Sequence, residues 1–344
     1  MQIKFFSEAR RARVKSSAVT NNAKSWQLNF RAAAVVWLGV VLAGVFLGWK
    51  MGYGGLRFGV ALGVCAALFG FEFFLASPTV LGNVRRKLGQ HGAILAPLVP
   101  LFAVLIYSFA ITGNWMWMLA GAAYAVVPAL LLAGAGGKLP GHLQDYAAAL
   151  LIWLPIEFRW MYRMFPYPLP LTHILTIVFA LSSGVAAFVV VRQLDGVGYA
   201  IEWRRGFGWQ VAFNVIAFGM IAIPLGIKIG FLTYSPTMQR VRSLPLSALG
   251  ILLFTAWPEE FLFRGVLQNL LSRTLKNQWL GLILASVIFG LSHILHAPFP
   301  NWKYVLLATI AGIFYGNAWM KSRSLLPGAI VHGLVDISWH VLFR

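Results

Sequence analysis

Ala32–Trp49, AAAVVWLGVVLAGVFLGW, runs for 18 residues without a charge or a strongly polar side chain. A helix of that length covers about 27 Å, close to the ~30 Å hydrocarbon core of a bilayer. It reads as a membrane span. The 31 residues before it, MQIKFFSEARRARVKSSAVTNNAKSWQLNFR, are long and basic. A signal peptide has a shorter basic region, a shorter apolar core and a small-residue cleavage site. Residues 1–31 are therefore expected to be a basic cytoplasmic tail leading into an uncleaved helix.

The rest of the chain is of the same kind. Of 344 residues, 59% are hydrophobic and 11% charged, against about 25% charged in soluble domains. Apolar runs mark spans near 32–49, 56–76, 94–112, 115–134, 146–158, 171–191, 209–227, 244–267, 279–297, 304–320 and 326–342. The fifth is short, contains Pro155 and ends in charge, so it reads equally as a re-entrant or interfacial segment. Strand-type alternation is missing, which argues against a β-barrel. The expected fold is an all-α polytopic membrane protein of about 11 (10–11) transmembrane helices. It divides into the tail, an N-terminal transmembrane region at 32–165 with no role that the sequence assigns, and a C-terminal helical bundle at 166–344.

The formal net charge is +19, and Cys65 is the one cysteine, so no internal disulfide can form. In a soluble chain such a charge would suggest nucleic acid. Here it fits cytoplasmic loops facing anionic lipid headgroups, so the expected partner is membrane lipid and not nucleic acid. With the N-terminus inside, 18 of the 28 Lys and Arg residues fall in the inner tail and loops, nine fall outside and Arg264 lies within a span. That bias favours an N-in orientation.

Charges inside spans are costly and point to function. They gather near the C-terminus: Glu259, Glu260 and Arg264 in AWPEEFLFRG, His293 in VIFGLSHILHAP, and His332 and Asp336 in GAIVHGLVDISWHVLF. Glu260 and Arg264 are i, i+4, in the favourable acid-first order. If Arg264 neutralises Glu260, then Glu259, turned about 100° away, is left to face a cavity. His332 and Asp336 are also i, i+4, so Asp336 can fix the imidazole tautomer. Pro258 frees a carbonyl one turn earlier and is expected to bend this helix. Counting from the loop at 275–278 puts Glu259 and His293 level. With a hairpin projecting beyond the membrane, the site is expected in the inner half of the bilayer, with Gln268, Ser272 and Asn277 accessible to labelling.

A carboxylate and two imidazoles around an intramembrane cavity suit activation of water as a nucleophile. The same set, Glu259, His293 and His332, could ligate zinc, although H-E-x-x-H is absent. Ser292 adjoins His293 and is expected to point elsewhere, against serine catalysis. Outside this region, Glu72 reads as a lumenal-face or helix-contact residue, and Glu157 with Arg159 as interfacial anchors ahead of a role in gating or contacting substrate. WLPIEFRW faintly echoes WPEEFLFRG. Nothing in the sequence speaks to oligomeric state.

At these residues the chain resembles the type II CAAX prenyl endopeptidase family, also called CPBP or abortive-infection (ABI) membrane proteases. Its E-E-x-x-x-R motif stands as Glu259-Glu260-Phe-Leu-Phe-Arg264, its F-x-x-x-H as Phe289-Gly-Leu-Ser-His293, and its H-x-x-x-N/D as His332-Gly-Leu-Val-Asp336. The motifs occur in order within roughly 245–340. The resemblance implies an intramembrane endopeptidase of a bacterial cytoplasmic membrane, acting on a membrane-embedded or lipidated, in some members prenylated, peptide. By it Glu259 and His293 activate water without a metal cofactor, His332 serves the oxyanion, and Glu260, Arg264, Phe289 and Asp336 complete the motifs. Asp336 departs from the Asn form, since an ionised Asp cannot donate to an oxyanion. The readings from other classes are a non-catalytic binding or bacteriocin-immunity protein and a transporter. Polar residues confined to one end of the chain disfavour the transporter.

Overall fold

The computed structural model describes residues 25–168 and 171–343. Residues 1–24, most of the expected tail, lie outside it. Twelve helices make up almost all of the rest: α1 (Phe30–Lys50), α2 (Gly55–Leu75), α3 (Pro78–Gly92), α4 (Leu98–Thr112), α5 (Trp115–Ala133), α6 (Leu143–Glu157), α7 (Leu171–Val191), α8 (Phe207–Lys228), α9 (Met238–Thr274), α10 (Gln278–Leu291), α11 (Trp302–Ser322) and α12 (Leu325–Leu342). The all-α expectation has one small exception. β1 (Trp26–Gln27), at the end of the basic tail, pairs antiparallel with β2 (Glu202–Trp203).

Among the described residues, seven helices are long and apolar enough to cross a membrane: α1, α2, α5, α7, α8, α9 and α12. The segment Pro78–Leu95 with α4, bent by 51°, makes an eighth if counted as one span. The fold is that of a multi-pass helical membrane protein, with seven or eight such helices where eleven spans were expected. The other three expected spans are helical but fall short for identifiable reasons. α6 has 15 residues and α10 has 14. α11 is long enough but carries Lys303, Asn317 and Lys321.

Loop contacts define two ends of the bundle. At one end, Leu325 N–H donates to Gly198 O (2.9 Å), Ile201 N–H to Ala76 O (2.8 Å) and Thr274 Oγ1 to Gly141 O (3.4 Å). There Arg192 also pairs with Asp145 at 2.7 Å and donates to Lys138 O. This end is rich in Lys and Arg and is called the basic end. At the other end, Ser235 N–H donates to Leu342 O (2.9 Å), Arg240 Nη1 to Phe343 O (2.8 Å), and Tyr53 stacks edge-on against Tyr167 at 5.7 Å.

α7 is the central helix, with 83% of its apolar window buried, against 11% for α1. Its Gly184 permits the close approach of α9, because a Cβ there would lie 2.8 Å from the Phe261 ring. One apolar core runs from Leu68 and Phe179 through Phe261 and Leu270 to Leu325, so the N-terminal helices pack directly on the C-terminal bundle. Glu72 is a helix contact inside this core, accepting from Ser182 Oγ at 3.2 Å. α10 and α11 approach through small residues. A Cβ on Gly312 would lie 3.0 Å from Ser286 Cα, and one on Gly290 would lie 2.7 Å from Val305 O. Small residues are how helices pack where lipid removes the hydrophobic drive between them.

α9 is about 55 Å long, well beyond the bilayer core. Its middle is irregular: Leu252–Ala256 and Phe261–Gln268 are π-helical and bracket Trp257–Glu260. Pro258 lacks an N–H and breaks the i→i−4 ladder, and the wider π turns take up the mismatch. The bend expected at Pro258 thus takes the form of two π segments.

Candidate active site

Beside the π segments of α9 lies a cavity of about 460 Å³. Glu259, His293, His332 and Asp336 line it together, each group from a different part of the fold: α9, the turn after α10, and α12. Apolar walls complete it, among them Phe218 and Ala222 of α8 and Leu307 and Ala311 of α11.

The two adjacent glutamates part company. The Glu260 side chain is fully buried, while 34% of Glu259's is exposed. Glu260 Oε2 is 3.2 Å from Arg264 Nε and its Oε1 is 3.0 Å from His332 Nδ1. The sequence pairing of Glu260 with Arg264 therefore omits a second partner, 72 residues away. Gly328 makes room for it, because a Cβ there would sit 3.1 Å from Glu260 Oε2. The Arg264 contact is an ion pair without hydrogen-bond alignment. Its guanidinium lies 4.6 Å from the Phe289 ring centroid, a cation–π position that adds to the compensation from Glu260.

His332 is clamped. A carboxylate only accepts, so Glu260 fixes a proton on Nδ1 and turns Nε2 to the cavity. Around Nε2 stand Asp336 Oδ2 at 3.4 Å and Glu259 Oε2 at 3.8 Å. Sequence spacing gave the tautomer-fixing role to Asp336. The geometry gives it to Glu260, and Asp336 sits on the nitrogen that faces the cavity. Tyr315 lies flat against the imidazole, ring centroids 4.4 Å apart and 15° from parallel.

His293 is held separately. α10 ends at Leu291, short of the expected 297, so His293 occupies a turn and not a helix. Its Nδ1 is 2.8 Å from Phe289 O, which can only accept, so Nδ1 carries the proton and Nε2 keeps a free lone pair. The same turn brings Ser292 Oγ to 3.2 Å from His293 Nδ1, contrary to the expectation that it points elsewhere. Ser292 nonetheless donates to Phe289 O and is not a cavity residue. Phe289 is the hub of the site, edge-on to His293 at 4.9 Å and to His332 at 5.7 Å.

Two further expectations fare differently. His332 lies about 10 Å into α12 from its basic-end start, the shallow depth that counting along the helix gave it. The cavity, however, extends from there away from the loop at 275–278, to Phe231, His296, Tyr304, Trp339 and Phe343 at the opposite end of the bundle. Gln268 is not an accessible labelling position: it is fully buried and donates to Gly316 O at 3.2 Å. Sequence reading also missed His173, Tyr304 and Tyr315 as cavity residues. Aromatic side chains make up 15% of the chain and so carry no signal of their own. Glu157, expected as an anchor, accepts from Trp153 Nε1 at 3.0 Å, and Trp153 packs on Phe263 beside the site.

Among the described residues, no group of three or more His, Cys, Asp or Glu side chains is arranged to hold a metal ion. The clamp on His332 is one reason, since both of its nitrogens already face carboxylates. No curated protein and no solved structure matches the chain. Residues 241–338, the segment that carries all six ionisable groups, match the family model for an Rce1-like domain, the type II CAAX prenyl endopeptidase Rce1-like family.

Proposed function

We propose that the chain is an intramembrane endopeptidase of a bacterial cytoplasmic membrane, N-terminus inside, that hydrolyses peptide bonds of a membrane-associated protein or peptide. The observation that carries this reading is one cavity bringing together an accessible carboxylate, an imidazole with a free lone pair and an imidazole held as a donor, all within the segment matching the family model. Glu259 is the general base. A water between its carboxylate and His293 Nε2 is deprotonated as it attacks the scissile carbonyl, and two acceptors are what orient a water's two protons. His332 carries a proton on each nitrogen, as the imidazolium that carboxylates on both sides favour, and its Nε2–H donates to the carbonyl oxygen as it becomes an oxyanion, an interaction that strengthens as charge develops. Glu259 then returns the proton to the leaving amine. Glu260 and Arg264 are positioning residues, because they hold His332 and touch no substrate. Each step uses side chains of this chain, and none calls for a metal.

Glu259→Gln keeps the size of the side chain and removes the base. Turnover is expected to fall by about 10²–10⁴-fold, the usual worth of a general base, while the protein inserts and folds as before. Peptides in membrane and secreted fractions are compared between cells carrying the wild type and cells carrying the variant. A substrate processed equally by both would remove the catalytic assignment. A profile unchanged even by deletion of the gene would favour a binding or immunity role.

A further inference from the structure

We infer that the cavity is loaded from the extracytoplasmic side of the membrane, so that the substrate is an apolar segment of an exported or outward-facing polypeptide. What happens in the cavity rests on the proposed peptidase function. The side of access rests on two independent features, where the cavity opens and which end of the bundle is basic.

The opening is set by the helices. Cavity residues of α8 run from Val215 to Ile223 and on to Phe231 and Leu232 in the loop beyond it. Those of α11 run from Tyr304 to Tyr315 and those of α12 from His332 to Trp339. Each run reaches towards the end of its helix away from the basic end and stops seven or eight residues short of the basic end. Towards the basic end the cavity has a floor made of the buried Glu260–Arg264 pair, Gln268 bonded to Gly316 O, and the close contact of Gly316 with α10. Among the described residues no comparable floor closes the opposite end, where His296 and Ser338 are exposed.

The charge is set by the sequence. Of the described Lys and Arg residues other than Arg264, twelve belong to segments at the basic end and eight to segments at the opposite end. The basic tail joins the bundle through β1, whose partner β2 lies in the basic-end loop 192–206. α3 sharpens the contrast. It is a 15-residue amphipathic helix at the basic end with Arg86 and Lys87 exposed and Arg85 donating to Val189 O. Helices of this kind lie in the headgroup layer and favour anionic lipid, whose negative surface potential belongs to the cytoplasmic leaflet. Exposed aromatic side chains mark both ends, Trp203, Trp209 and Trp279 at the basic end and Tyr234, Phe299 and Trp302 at the other, as at the two interfaces of a membrane. The basic end therefore faces the cytoplasm, and the cavity opens away from it. The walls above the polar cluster are apolar on both α8 and α11, which suits an apolar peptide segment.

The test uses the full chain with Cys65→Ser, which removes the native thiol. Single cysteines are placed at Thr233, in the loop after α8; at Ser338, on the exposed rim of the cavity; and at Gln278, at the basic end. Each is exposed, and none belongs to the catalytic set. Intact spheroplasts are treated with a membrane-impermeant maleimide before and after permeabilisation. Expected is labelling at Thr233→Cys and Ser338→Cys in intact spheroplasts, and at Gln278→Cys only once the membrane is opened. Labelling of Gln278→Cys in intact spheroplasts with Thr233→Cys protected would reverse the orientation and overturn the inference. So would labelling of Thr233→Cys with Ser338→Cys protected until permeabilisation, because the cavity would then not open to that side. Labelling needs no turnover, so it stands or falls separately from the comparison of wild type with Glu259→Gln.

Discussion

Glu260→Gln is the most exacting test of how this site tolerates its charges. The substitution conserves shape and removes one negative charge from a side chain with no solvent exposure, 3.2 Å from Arg264 and 3.0 Å from His332. Arg264 is also fully buried, so glutamine strands a cation. Breaking a buried pair from one side costs about 3–5 kcal/mol. Contact with the Phe289 face keeps about 0.5–2 kcal/mol of compensation in place, so the net loss is expected near 2–4 kcal/mol. At about 2–4 °C per kcal/mol for domains of 150–250 residues that is ~4–16 °C, and the scale is smaller for a longer chain, so a fall of a few °C or more is expected. The decisive variant is the double substitution Glu260→Gln with Arg264→Met. It leaves no stranded charge and places an apolar side chain against Phe263, Phe289 and Tyr315. It should therefore be more stable than Glu260→Gln alone, the reverse of what two independent losses would give. Thermal unfolding of the detergent-solubilised protein, followed by tryptophan fluorescence, measures all four corners of the cycle. The pairing argument is refuted if the double variant equals the sum of the singles to within about 0.5 kcal/mol.

Three further outcomes are expected. Asp336→Asn should keep activity within about tenfold of the wild type, because an amide can still accept from His332 Nε2 and can also donate to an oxyanion; Asp336→Ala should lose clearly more, as kcat/KM comparisons would show. Tyr315→Phe should preserve turnover by keeping the flat contact on His332, while Tyr315→Ala should lower kcat with little change in KM, the pattern of a loosened positioning contact. Gly312→Leu should reduce the yield of folded, monodisperse protein on size exclusion, because its side chain would enter space held by the Ser286 backbone.

How much of this could be read in advance depends on how local each feature is. A span is legible because length and apolarity belong to one stretch of chain, as in α1, α2 and α5. The shortfall of α6 was legible too, from its length, Pro155 and terminal charge, but that of α10 was not, since apolarity continues beyond the residues that stay helical. Ile294 and Leu295 look like span but lie in the turn after α10. The division between Glu259 and Glu260 was legible from the i, i+4 spacing of Glu260 and Arg264. The second partner of Glu260 was not, because contact with His332 depends on how α12 seats against α9, through Gly328. The direction in which the cavity extends was not legible for the same reason. Depth counted along single helices cannot register where a neighbouring helix stops.

Those stopping places explain why the chemistry sits where it does. A regular transmembrane helix satisfies its own backbone and shows lipid nothing but side chains, so irregular backbone within a membrane is tolerated only against protein or around a cavity. Here the irregularities converge: the π segments on either side of Glu259, and the end of α10 beside His293. The regular turn Trp257–Glu260 already sets two consecutive glutamates about 100° apart, one in a buried clamp and one in the cavity, and the π segments on either side of it set where that turn faces. The early end of α10 lets the Phe289 carbonyl accept a hydrogen bond from His293 Nδ1–H and leaves Nε2 open. Straightening α9 is therefore expected to disturb both glutamates together. Pro258→Ala, which restores the missing N–H, should weaken catalysis without removing any group that touches substrate. An activity equal to the wild type would mean that the irregular backbone is incidental to the placement of the charges.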